Sequence, residues 1–126
     1  MDINQLIDEY GKAVNNSNSS DVANLFNETF DHIVHGINDQ KSPWDAKHKT
    51  SRQEIKKLYE DFFTKIDFMK AEYVDRIIDN DNRAIAMTVK AKGKQKDGIE
   101  FNMSNALHVF FNENGKIIKF HNWYGI

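Results

Sequence analysis

The sequence predicts an α+β fold in which three helices pack against a strongly curved, mostly antiparallel sheet. Helical apolar periodicity is confined to the first half of the chain, apart from one short strand. From Ala71 onward the apolar residues alternate with a period of two instead. Turn-forming residues punctuate that second half, so the strands meander beside segregated helices.

Taking the elements in order, Ile3, Leu6, Ile7, Tyr10, Ala13 and Val14 recur at helical spacing behind an Asp2/Gln5 capping pair. The first helix therefore runs from Ile3 to about Asn15. The polar stretch that follows, through Ser20, ends as the cap of a second helix, Asp21 to about Glu28, with Val22, Ala23, Leu25 and Phe26 on its buried side. Phe30 to Gly36 is short and bounded by turn residues, which predicts a strand. The pattern lapses from Ile37 to Lys49, around Pro43 and Trp44, and loops of this length are often functional. Ser51 and Glu54 form a capping box that opens a third helix through about Ile66, apolar at Ile55, Leu58, Tyr59, Phe62, Phe63 and Ile66. Strands follow at Ala71–Asp79 and from Arg83 to about Lys94, joined by a turn at Asn80-Asp81-Asn82. In the second of these, Ile85, Met87, Val89 and Ala91 alternate with Ala86, Thr88, Lys90 and Lys92, the signature of a half-exposed strand.

A turn near Asp97-Gly98 leads into a final hairpin, Ile99 to Ile126, folded about Glu113-Asn114-Gly115-Lys116. Asn-Gly suits a two-residue type I′ turn, which needs positive φ at both positions. That turn pairs Phe111 with Ile118, Val109 with Phe120 and Leu107 with Asn122. One face then carries Phe101, Met103, Asn105, Leu107, Val109, Phe111, Ile118, Phe120, Asn122 and Tyr124; the other carries Ala106, His108, Phe110, Ile117, Lys119, His121 and Trp123. Asn105 and Asn122 interrupt an otherwise apolar wall, and buried amides need partners from protein, water or a ligand. A three-residue bulged turn would instead bring His108 onto the face of Asn122.

Bulk properties narrow the function classes. The 126 residues predict one domain, and 40% apolar with 29% charged residues is ordinary for a globular protein. The net charge of −2 is spread without a basic stripe, which argues against nucleic acid. The absence of cysteine excludes disulfides, thiolate metal sites and a cysteine nucleophile. The acidic, amphipathic start is unlike a signal peptide and no apolar run reaches membrane-spanning length, so a cytoplasmic protein without membrane association is expected. There is no glycine-rich phosphate loop, nucleophile elbow or HExxH. The His108/His121 pair lacks a third ligand, so neither metal nor cofactor is expected.

Three stretches, YGKAVNNSNSSDVANLF, SRQEIKKLYEDFF and HVFFNENGKIIKFHNWY, taken in this order and spacing, resemble the nuclear-transport-factor-like superfamily, which includes ketosteroid isomerases and SnoaL-like polyketide cyclases. The resemblance implies a cone, its helices closing a bent sheet around one deep cavity, and a homodimer formed through the outer sheet face. Tyr10 falls where the isomerases keep their oxyanion-hole tyrosine, and their general-base aspartate falls near His35, allowing one inserted residue. Their protonated aspartate falls on Leu107, which cannot donate a hydrogen bond, so steroid isomerisation by that mechanism is disfavoured. An acid/base aspartate of SnoaL-like proteins falls on Asn122, whose amide can orient a ligand or stabilise an oxyanion but cannot shuttle protons.

The candidate catalytic set is therefore His35 as base with Tyr10 and Asn122 as donors. Trp44, as a lid, with Tyr59, Phe63, Phe101, Asn105, Leu107, Phe120 and Tyr124, forms the candidate ligand-binding wall. Three readings stay open: a small-molecule-binding protein with an aromatic-lined cavity which, if catalytic, is a cofactor-free acid/base isomerase, cyclase or dehydratase acting on a small hydrophobic carbonyl compound; a non-enzymatic ligand-binding or dimerisation module; and a pocket filled by its own aromatics.

Overall fold

A computed structural model describes residues 1–35 and 49–124. Its elements, in chain order, are α1 (Ile3–Asn15), α2 (Ser19–Asn24), β1 (Phe26–His35), β2 (Thr50–Ser51), α3 (Arg52–Thr64), β3 (Ile66–Asp79), β4 (Ala84–Gln95), β5 (Glu100–Phe111) and β6 (Ile117–Tyr124). The strands form one sheet in the order β2-β1-β6-β5-β4-β3. Every pairing is antiparallel except β1 with β6, which run parallel. The predicted α+β class holds, and the helices cover one face of the sheet's core rows. Among the described residues no helix is long and apolar enough to cross a membrane.

Local chemistry accounts for the helix boundaries. Both predicted capping boxes are present: Gln5 N–H donates to Asp2 Oδ1 at 2.8 Å, and Glu54 N–H donates to Ser51 Oγ at 3.0 Å. The second helix is shorter than predicted, capped by Asn18 and ending before Leu25. Tertiary bonds capture the backbone there, because Ile117 N–H donates to the Leu25 carbonyl at 2.8 Å and Arg52 Nε to that of Phe26 at 2.9 Å. Phe26, expected on a helix, is thus the first residue of β1 and fully buried. The third helix likewise stops at Thr64, so Ile66 opens β3.

The final turn corrects one expectation. Only Gly115 takes a positive φ, 76°, whereas a type I′ turn needs Asn114 to do so as well. The Asn112 side-chain oxygen instead accepts from the N–H groups of Asn114 and Lys116, both at 2.9 Å. The longer loop is absorbed by a bulge: Phe111 pairs with Ile117 rather than Ile118, and Phe110 with Lys119. Ile117 is consequently buried at 1% exposure while Ile118 is 38% exposed, the reverse of the predicted faces. Beyond the bulge the predicted pairs return, including Val109 with Phe120 and Leu107 with Asn122, and His108 stays opposite His121.

Curvature is set in β3. Its register shifts between Val74 and Ile77, with Asp75 at φ 55°. Arg76 at that bulge donates to Asp8 at 2.8 Å, to Asn4 at 3.1 Å and to the Tyr73 carbonyl at 2.9 Å, clamping the bend to α1. At the other end of α1, the Asn15 amide accepts from Ala71 N–H at 2.8 Å and donates to its carbonyl at 3.0 Å. Gly11 sits between these fasteners because a Cβ there would lie 2.8 Å from the Tyr73 ring. These contacts fix the rotation of α1, and with it the direction of Tyr10.

Candidate functional site

Tyr10 projects from α1 into the space between helix and sheet and is 5% exposed. Its hydroxyl is hydrogen-bonded to that of Tyr59, a buried residue of α3. Around it the Tyr73 ring meets the Tyr10 ring edge-on at 5.6 Å between centroids, and Phe120 of β6 lies at 5.9 Å. Phe63 packs on Tyr59 at 5.6 Å. Tyr124, across the β5/β6 ladder from Asn105, pushes the Tyr10 hydroxyl up, and Tyr59 does the same to Tyr124. All four tyrosines of the chain thus converge on one place.

The electrostatics of this cluster favour neutrality. Burial pushes every one of these phenols up, with mutual repulsion between incipient phenolates adding for Tyr10, Tyr73 and Tyr124. Burial also pushes the Tyr59 hydroxyl up to about 12, although its hydrogen bond with Tyr10 opposes the shift. His32 sits beside Phe120 in the β1/β6 register, 3% exposed, with its ring 5.8 Å from that of Phe120 and 5.9 Å from that of Phe30. Burial lowers its pKa to about 4, so the imidazole is neutral at pH 7. The buried polar residues among those described are His32, Thr50 and Asn105, and none carries a charge at that pH.

The two asparagines singled out in the sequence share this inner face. Asn122 stands opposite Leu107, and Asn105 opposite Tyr124, so the two lie on a diagonal of the β5/β6 ladder. Their Oδ1 atoms are buried and lack a hydrogen-bond partner among the described residues. Such an acceptor costs about 1–3 kcal/mol when it is left unmatched.

Not every residue of the expected site joins the cluster. Phe101 lies four ladder rows beyond Asn105, with its ring against Gly93, and lines an open groove of about 360 Å3 with Phe68, Lys92, Glu100 and Asn102. Leu107 is core, 3% exposed, in line with its inability to donate. His35 closes β1 level with Trp123, on the β1 positions that alternate with His32 and Val34, the rows of Phe120 and Asn122. Trp44 lies outside the described residues. Sequence reasoning missed Tyr73 and His32. Tyr73 could have been flagged by its place among only four tyrosines, and His32 by its two-residue spacing from Phe30.

No family model matches the sequence, and no curated protein matches it. Solved structures do. An NTF2-like protein of unknown function from Exiguobacterium sp. 255-15 is 19% identical at a TM-score of 0.72, covering 94% of this chain and 97% of that one. PrhC from Penicillium brasilianum NBRC 6234 is 12% identical at a TM-score of 0.77, covering 97% and 79%. The epoxide hydrolase/cyclase-like enzyme SalBIII of pyran ring formation in polyether salinomycin is 13% identical at a TM-score of 0.76, covering 98% and 91%. At such identities the likeness concerns architecture, and activities are grafted onto a fold by its site residues. The chain has the nuclear-transport-factor-like fold, as a protein similar in structure to NTF2-like, SnoaL-like and ketosteroid isomerase-like proteins.

Proposed function

We propose that this chain binds a small, uncharged, largely apolar molecule bearing a carbonyl, in a cavity between the helices and the inner face of the sheet. The observation that carries the proposal is the buried cluster of neutral phenols, whose hydroxyls can donate to a carbonyl, beside the amides of Asn105 and Asn122. In the shared bond one hydroxyl donates and the other accepts, so the pair carries one proton not committed to that bond. Phe120 and Phe63 supply apolar contact. A carboxylate or ammonium would be desolvated there without a buried counter-charge among the described residues, at a cost of several kcal/mol. The names of the neighbours agree with a small organic ligand and go no further.

An unfolding-temperature screen tests this with ketones and the matching carboxylic acids. Ligand at about a hundred times its Kd adds about 2.7 kcal/mol of stability. Neutral ketones are expected to raise the Tm and the acids to leave it unchanged; the opposite ranking overturns the proposal.

One observation favours a second, catalytic reading: a neutral imidazole on the same face as the phenol pair, bridged to Tyr10 by the Phe120 ring. His32 would take a proton next to the carbonyl while Tyr10 and Asn122 donate to the enolate oxygen. A base near pKa 4 is weak, which makes binding the primary reading. His35 is the other candidate base, and replacing each histidine by alanine separates them: turnover lost with only one variant names the base.

The outer face offers His108 and Phe110 with rings 4.6 Å apart, and His121 stacked on Trp123 at 3.8 Å. We propose that a second copy of the chain covers it; a monomeric mass by light scattering would contradict this.

A further inference from the structure

We infer that the ligand of this face is a hydroxy-ketone rather than a simple ketone, with its hydroxyl directed at Asn105 and Asn122 and its carbonyl at the phenol pair. This inference rests on the binding reading above and deepens it by naming the class of compound.

The argument is one of matching donors to acceptors. The unmatched atoms are both amide oxygens, and an oxygen lone pair is satisfied only by an N–H or O–H. A ketone has no such proton, so a ketone seated against the asparagines leaves both oxygens unmatched and sets a third lone pair beside them. A hydrocarbon leaves them equally unmatched. A charged amine could donate, yet the described residues place no buried carboxylate beside it.

Geometry adds a second constraint. Asn122 is opposite Leu107 and Asn105 is opposite Tyr124, so the two amides are diagonal neighbours, about 7–8 Å apart at the backbone. Side chains at that separation on one sheet face are within reach of a single hydroxyl or of two adjacent ones. The phenol pair lies on the helix side of the same space, Tyr10 on α1 and Tyr59 on α3, with one proton beyond the bond they share. The two amide acceptors sit on the sheet wall, next to the Tyr124 phenol, and the Tyr10–Tyr59 pair faces them from the helices. A molecule lying between them is matched when it carries a hydroxyl on one edge and a carbonyl on the other. Polarity of this kind discriminates more sharply than shape, because the wrong ligand leaves protein groups buried and unmatched.

Calorimetric titration with 1-tetralone and 4-hydroxy-1-tetralone, which share a frame and differ by one hydroxyl, tests the inference. The wild-type protein is expected to bind the hydroxy-ketone about tenfold more tightly or better, as one added buried hydrogen bond implies. In a variant carrying Asn105→Leu and Asn122→Leu the preference for the hydroxy-ketone is expected to vanish. Equal affinity of the two compounds for wild-type protein overturns the inference and leaves the binding reading standing. So does a preference that survives in the double variant. Failure of both compounds to bind removes the binding reading itself. The wild-type comparison needs no variant, so it decides the matter even when the double variant does not fold.

Discussion

Acidification from neutral pH protonates His32 in the unfolded chain long before it does so in the folded protein. The imidazole is 3% exposed, and no buried acidic side chain among those described offers it a counter-charge. Its pKa falls from 6.5 to about 4 through burial. Because the folded value is depressed, the unfolded state binds the extra proton between these limits, and stability drops as pH falls through that window. The gap of 6.5 minus about 4, at 1.36 kcal/mol per unit, amounts to a loss on the order of 3 kcal/mol. The slope does not exceed about 1.4 kcal/mol per pH unit for a single proton. Urea unfolding of wild-type protein and a His32→Leu variant, at intervals between neutral pH and about pH 4, isolates this contribution, since every other titrating group is common to both. The difference between the two stability curves is expected to shift in favour of the variant by about 2–3 kcal/mol across the window. Parallel curves would show that His32 is solvated or paired and would refute the uncharged interior built around it.

The tyrosines make the complementary prediction at high pH. All four are raised above the ordinary phenol value, so folded protein is expected to show almost no phenolate absorbance at pH 10, and denatured protein half of the full signal. Their stabilising contribution is complete below pH 10 and disappears as pH rises through the folded values. A Gly11→Ala substitution sets about 1 kcal/mol of helix propensity against a Cβ placed 2.8 Å from the Tyr73 ring. Overpacking of about 1–3 kcal/mol wins, so urea unfolding is expected to show net destabilisation. Removing the clamp at the end of α1 with Asn15→Ala strands the N–H and carbonyl of Ala71, itself 6% exposed, and is expected to cost about 1–3 kcal/mol by the same assay.

Much of the inner wall was legible because alternation is a local property. Asn105, Leu107, Val109, Phe120 and Asn122 share a face in the structure as the two-residue period requires. The turn was misread because Asn112, not Asn114, organises it, and a side-chain-directed loop followed by a bulge can restore the same downstream register. Ile117 and Ile118 changed faces for that reason alone. His32 was illegible because the parity of β1 is set by its parallel partner β6, almost ninety residues away, and by an irregularity between Phe26 and Asp31. The resemblance pointed to Tyr10 and to a base near the end of β1. It could not show that Tyr73 would join Tyr10, because that contact depends on the bend at Asp75 and on the close approach at Gly11.

Side-chain amide NMR reads the central claim with least interpretation. On titration of a neutral hydroxy-ketone into labelled protein, the Asn105 and Asn122 NH2 resonances are expected to shift together, in step with ligand occupancy. Shifts confined to the groove around Phe68 and Asn102, with both of those amides unmoved, would contradict a ligand site on the inner face of the sheet.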